Sequence, residues 1–150
     1  MQCIDLDAVI TQTVKEPLRA WIQRHGWTAF RRLESEALRG ALQHNAVVIA
    51  CGAGVVESSE NLALLSTSNQ QVLWLDIDIK EQAVRLKADS TRPRLEPDLS
   101  FEEELQRIDL RRRVLYRQIA GARVDAQAPL EAVLKRCLAE LGDVNVGDRH

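Results

Sequence analysis

The chain has 150 residues, of which 45% are apolar and 28% charged, with a net charge of −2. That is the composition of an ordinary soluble globular protein with one domain and one core. The acidic balance argues against a nucleic-acid partner, because phosphate binding relies on a basic surplus, and no apolar run approaches the roughly 20 residues of a membrane span.

Taken in chain order, the first expected element is a short strand at Cys3-Ile4. A helix is expected over 27–44, where Phe30, Leu33, Ala37, Leu38 and Ala41 recur at helical spacing. The runs 46–51 and 72–75 are continuously apolar rather than alternating. Such runs mark strands buried on both faces of a parallel sheet. Asp78-x-x-Glu81 is a capping pattern that opens a helix to about Ala88. The two-proline stretch 92–98, of mixed charge, reads as a mobile flap. Ser100-x-x-Glu103 opens a second capped helix to about Ala120, and a weak strand follows near 122–125. Pro129 suits the first turn of a last helix that carries Leu130, Val133, Leu134, Cys137, Leu138 and Leu141 and ends at Gly142. Strands alternating with helices predict an α/β fold, a parallel sheet with helices on both faces. One domain is expected over 1–142, followed by a C-terminal tail over 143–150.

Cys3, Cys51 and Cys137 are odd in number, far apart and in no C-x-x-C pair. They read as buried thiols of a reducing compartment, and with no secretory signal pattern legible at the start a cytoplasmic location is expected. His25, His44 and His150 show no metal-ligand spacing.

Three local signals bear on chemistry. The strand ending at Cys51 runs into Gly52-Ala53-Gly54, a turn of small residues whose backbone N–H groups are candidates for an anion site. Its continuation through Glu57 also resembles part of a dinucleotide fingerprint, with Asp76 and Asp78 at the distance of a ribose-binding acid. Glu57, however, stands where the third glycine belongs, and a tight turn with no ligand is a further reading. Along the helix from Phe101, the stripe Phe101, Leu105, Ile108, Arg112, Leu115, Ile119 is apolar at every position but one. An inward guanidinium must find an anion or an internal carboxylate, because burying it unpaired is costly. Arg31 follows the core residue Phe30 and can pair with Glu34 at i, i+3. A small carboxylate between Arg31, Arg112 and the glycine turn would account for all three features.

Together these pieces resemble the shikimate kinase family over about 4–141. The matching segments are Asp5-Leu6-Asp7, Gly26-Trp27-Thr28-Ala29-Phe30-Arg31-Arg32-Leu33-Glu34, Ile49-Ala50-Cys51-Gly52-Ala53-Gly54-Val55-Val56, Thr91-Arg92-Pro93 and Arg112-Arg113-Val114-Leu115-Tyr116. The Gly-Trp before Phe-Arg and the Cys-Gly-x-Gly turn are similar to the kinase segment of the fungal pentafunctional aromatic-pathway protein. The resemblance implies a P-loop kinase-like fold of the nucleoside-monophosphate-kinase type. It also implies transfer of the γ-phosphate of ATP to the 3-hydroxyl of shikimate, in aromatic amino-acid biosynthesis. By position, Asp7 would accept the reacting hydroxyl and act as its base, and Asp5 would hold Mg²⁺ through water. Arg31 and Arg112 would clamp the shikimate carboxylate with help from Gly52, Ala53 and Gly54. Arg92 would come from the lid onto the transferring phosphate, and Arg85 would lie on the nucleotide side.

The sequence departs from the family pattern in three places. The opening strand and the G-x-x-G-x-G-K-[ST] loop should precede Asp5 by about twenty residues, where only four stand. The chain as written is therefore expected to bind ATP poorly and to be inactive, with a split sheet, unless an upstream segment or a partner supplies the missing strand and P-loop. In-frame coding sequence ahead of Met1 is expected to encode them. Ala53 replaces a glycine, at a cost of about 1 kcal/mol if that position needs φ > 0. The adenine-side loop 124–129 is short and lacks an arginine before its proline. A non-catalytic module that binds a shikimate- or quinate-type ligand is the alternative, and a Rossmann-type nucleotide-binding enzyme a further one. Retention of Asp7 and Arg92 favours the kinase.

Overall fold

The computed structural model describes residues 2–87 and 93–142. In chain order it contains β1 (Gln2–Asp5), α1 (Leu6–Val14), α2 (Leu18–Ala41), β2 (Val47–Ala50), a 3-10 turn (Ala53–Glu57) and α3 (Ser59–Thr67). There follow β3 (Leu73–Asp76), α4 (Ile79–Lys87), α5 (Phe101–Ile119), β4 (Ala122–Asp125) and α6 (Leu130–Gly142). The class is α/β with parallel strands, as expected from the alternation of elements.

β1 pairs in parallel with β2, setting Ile4 opposite Ile49 and Asp5 opposite Ala50. β3 pairs in parallel with β4, setting Leu75 opposite Val124. The described strands thus form two two-stranded sheets, the division expected if a strand between β2 and β3 is not part of this sequence. The expectation that 46–51 and 72–75 are buried on both faces is corrected. Val48 is 42% and Leu75 53% exposed, because each strand has a partner on one side and cover on one face only. Open apolar strands of this kind invite pairing with another chain.

What joins the two halves is the core. Leu6, Leu38, Ala41, Val55, Val56 and Leu65 form one buried cluster, with Ile4 and Ile49 of the first sheet and Val72, Leu115 and Ile119 packed at its margin. Leu6 and Leu38 are fully buried, and each contributes on the order of 1.5–3 kcal/mol by leaving water. This cluster seats α5 and the glycine turn against the β1–β2 pair, which is what brings the arginines and the turn together. Ile10, Ile22 and Phe30 make a second cluster that closes α1 onto α2.

Local chemistry sets most element ends. Asp5 caps α1 by accepting from the backbone N–H of Asp7 and Ala8 at 2.9 and 3.2 Å. Helix α2 bends at Gly26, whose φ of 81° only glycine adopts at little cost, so the sequence pattern from Trp27 onward describes its second half. The box at the start of α5 is reciprocal: Ser100 accepts from Glu103 N–H at 3.2 Å while Glu103 accepts from Ser100 N–H at 3.0 Å. Asp78 accepts from Lys80 N–H at 2.8 Å at the start of α4.

Two further expectations need revision. Residues 93–98, the described part of the expected mobile flap, are tied to α5. The Glu104 carboxylate accepts from Leu95 and Glu96 N–H at 2.7 and 2.9 Å and pairs with Arg94. Cys3 and Cys51 are exposed and Cys137 is half-buried, so the thiols are not core residues. The short strands put Cys3 on an open face and Cys51 just past the end of β2. Among the described residues, no helix is long and apolar enough to cross a membrane.

Candidate functional site

The site is built on the turn that follows β2. Gly52 is extended, with φ −61° and ψ 146°, and its carbonyl accepts from Val55 N–H at 3.0 Å as the 3-10 turn begins. Ala53 is unstrained: among the described residues only Lys15 and Ala46 are non-glycine residues with positive φ. The energetic penalty foreseen for an alanine here therefore does not arise. The Ala53 carbonyl accepts from the Tyr116 hydroxyl at 2.6 Å, which ties the turn to α5.

The glycines flanking Ala53 serve close approach rather than unusual dihedrals. A Cβ at Gly54 would lie 2.2 Å from Nη2 of Arg31, and one at Gly52 would lie 3.1 Å from Oε1 of Glu34 and 3.6 Å from Oδ1 of Asp7. Asp7 at the start of α1, Arg31 and Glu34 on α2, and the turn 52–54 therefore meet at one point.

Arg112 reaches the same point from α5. It is only 5% exposed, as its place in an apolar stripe implies. Its Nη2 lies 3.2 Å from Oε2 of Glu57, and its buried Nε has no hydrogen-bond partner. Arg31 holds Glu34 through Nη1 at 2.7 Å and the same Oε2 of Glu57 through Nη2 at 3.0 Å. The Trp27 and Phe30 rings, at 5.3 and 5.5 Å, lie under its guanidinium. Arg111 donates from Nε and Nη2 to Oε1 of Glu57 at 3.0 and 2.7 Å, and from Nη1 to Glu96 at 3.2 Å. Glu57 is thus the hub of three arginines. Burial alone would push its carboxyl up, but the hydrogen bonds and charges of Arg112 and Arg111 outweigh this and hold it down at about 2.

Glu57 is the residue that sequence reasoning missed. There it counts only against the dinucleotide fingerprint. The signal that could have found it is an inward arginine, Arg112, whose own apolar stripe carries no acid. The Arg31–Glu34 pair, by contrast, is the one expected from i, i+3 spacing.

Asp7 and Glu34, unlike Glu57, are perturbed in the direction of proton uptake. Asp7 is raised, first by burial and then by the charge of Asp5, against the opposing pull of Arg31. Glu34, 1% exposed, is raised by burial, with Arg31 pulling the other way. Mg²⁺ is usually held by one or two carboxylates, with water and substrate phosphates completing its octahedron. Asp5, at the end of β1, offers one such carboxylate. No stretch of the 150 residues has the G-x-x-G-x-G-K-[ST] pattern.

The remaining expected residues lie elsewhere. Arg85 donates to Glu81 at 2.8 Å and to the Ala126 carbonyl at 3.3 Å, against the loop after β4. Arg92 lies outside the described residues. Asp76 pairs with Arg113 at 3.0 Å and accepts from Arg123 at 2.6 Å, and Asp78 caps α4. Both acids of the dinucleotide reading are thereby committed to structure.

A solved shikimate kinase from Acinetobacter baumannii in complex with shikimate superposes with a TM-score of 0.85 at 22% identity, over 95% of this chain and 80% of that one. The fold is therefore that of the P-loop kinases, α/β with parallel strands. The family model for shikimate kinase matches residues 1–142, and the chain belongs to the shikimate kinase family. A shikimate kinase of Parasynechococcus marenigrum (strain WH8102) is 38% identical over 117 residues, covering 75% of this chain and 58% of its own length. A pentafunctional AROM polypeptide of Scheffersomyces stipitis is 31% identical over 123 residues, 79% of this chain and 7% of that polypeptide. The chain spans less than two thirds of the cyanobacterial relative.

Proposed function

We propose that this chain forms the acceptor half of a shikimate kinase, binding shikimate by its carboxylate and presenting the 3-hydroxyl for phosphoryl transfer. The convergence of Arg31 and Arg112 on one point beside Gly52–Gly54, with Asp7 adjacent, supports this reading. Two forked guanidinium donors and a small-residue turn suit a carboxylate. Arg31 and Arg112 hold it, and Gly52, Ala53 and Gly54 line the ring. Asp7 accepts the 3-hydroxyl proton. Its raised carboxyl makes it a better proton acceptor than an ordinary aspartate. Asp5, whose Oδ1 caps α1, would hold Mg²⁺ through water, and the ion would neutralise charge on the transferring phosphoryl group. Arg92 would meet that group and Arg85 the nucleotide side.

The phosphate loop itself has to come from a segment or partner outside this sequence. A parallel strand bearing it would pair with the open edges of β2 and β3. The 150-residue chain by itself is accordingly proposed to bind the acceptor without ATP turnover, in the cytoplasm.

Titration calorimetry with shikimate, alongside a coupled assay of ADP release with ATP and Mg²⁺, tests both halves of the reading. Shikimate binding with no ADP release is expected from the chain alone. Turnover is expected once a strand and phosphate loop are fused ahead of Gln2. Absence of shikimate binding in both proteins would discard the proposal.

A further inference from the structure

The hub of the arginine cluster is itself a carboxylate. Oε2 of Glu57 lies 3.0 Å from Nη2 of Arg31 and 3.2 Å from Nη2 of Arg112, between the two guanidinium groups assigned to an acceptor carboxylate. Within the cluster, Arg31, Arg107, Arg111 and Arg112 face Glu34, Glu57 and Glu96, with the Asp7 carboxylate beside Arg31, four cations against four acids. The cluster is balanced without a ligand, and an entering carboxylate brings a fifth negative charge. From these contacts we propose that Glu57 is a tethered occupant of the carboxylate clamp, which an acceptor must displace, and that it thereby sets acceptor affinity and selectivity for charge. The proposal rests on the assignment of Arg31 and Arg112 as that clamp.

The geometry makes displacement feasible. The two oxygens of Glu57 have separate partners: Oε2 meets Arg31 and Arg112, while Oε1 accepts from both Nε and Nη2 of Arg111 at 3.0 and 2.7 Å. Oε2 can leave the clamp while Oε1 stays on Arg111, so the displaced carboxylate is never left without a counter-charge, which would be the costly outcome. Arg112 also has its buried and unpartnered Nε to offer. Arg31 spends Nη1 on Glu34, so a carboxylate entering between the two guanidinium groups meets the Nη2 donors that Glu57 now holds.

Calorimetry on the full chain and on Glu57→Gln and Glu57→Ala separates the possibilities. The three probes are shikimate, its methyl ester and cyclohexanecarboxylate. Both variants should bind shikimate and cyclohexanecarboxylate with Kd lowered about tenfold or more, the order of one charge-assisted hydrogen bond set free, while methyl-ester binding is unchanged. Glu57→Gln keeps the shape of the side chain and decides the matter if Glu57→Ala fails to fold. Tighter cyclohexanecarboxylate binding with no advantage for shikimate would sustain the tethered occupant and discard the shikimate assignment. Equal or weaker carboxylate binding in the folded variants overturns the proposal. Loss of shikimate binding in Arg112→Ala would, in that event, still uphold the clamp.

Discussion

Arg31 and Arg112, on helices far apart in sequence, donate to the same oxygen of Glu57, at 3.0 and 3.2 Å. Three arginines around one acid tie α2, the glycine turn and α5 together, with consequences for binding and for stability.

Removing either member of the clamp should weaken the acceptor site. Arg31→Ala and Arg112→Ala are each expected to cost about 1.5–3 kcal/mol of shikimate binding, the range for hydrogen bonds to charged groups. Calorimetry reads this directly. Unchanged affinity in both variants would return the two arginines to a purely structural role.

Glycine at position 54 should matter for binding more than for stability. A Cβ there would fall 2.2 Å from Nη2 of Arg31, the free end of a flexible side chain that can move aside. Gly54→Ala is expected to raise the Kd for shikimate about tenfold while lowering unfolding free energy by less than roughly 1 kcal/mol. Denaturant titration beside calorimetry checks the pair. A large stability loss with intact binding would contradict it.

Acid should weaken the fold through Glu57. Its carboxyl titrates at about 2 in the folded state and near its ordinary value of 4.5 once unfolded. The depressed value means stabilisation that is fully present above pH 4.5 and is lost progressively as pH falls toward 2. Urea unfolding measured from pH 6 down to pH 3 should show a steeper loss for the native chain than for Glu57→Gln. The variant should itself be less stable at pH 6 by on the order of 2 kcal/mol. Parallel curves for the two proteins would remove Glu57 from the acid response.

The start of α5 offers a control away from the site. Ser100→Ala breaks the reciprocal box with Glu103 and is expected to cost about 1 kcal/mol of stability. Shikimate affinity should not change, because the clamp lies three turns along the helix. A shift in affinity would show that the two ends of α5 are coupled.

Open strands should make the chain associate. Val48 on β2 and Leu75 on β3 are exposed apolar residues of strands paired on one side. Val48→Lys combined with Leu75→Lys is expected to reduce self-association in sedimentation velocity, since charge on an open strand opposes pairing. Identical sedimentation of the two proteins would place any association elsewhere.

Much of this was legible in sequence because it is local. The capping box at Ser100 and Glu103, the helical spacing behind the second half of α2, and the pairing of Arg31 with Glu34 all depend on residues within a few positions of each other. A single arginine in an apolar stripe foretold that Arg112 would be buried, since helical periodicity decides which side chains face inward. Helix α1 left no comparable signal, as it is short and its cap, Asp5, was read only as a metal-side carboxylate. The continuous apolar runs identified β2 and β3 as strands but could not say whether both faces are covered, because burial depends on which other elements pack there. Tertiary structure alone decided the identity of the anion between Arg31 and Arg112. Glu57 is 26 residues from Arg31 and 55 from Arg112, and it meets them only because the core around Leu6, Leu38 and Val56 seats the glycine turn between α2 and α5. Periodicity reports that a buried charge needs a partner. The folded packing of distant segments determines which partner arrives.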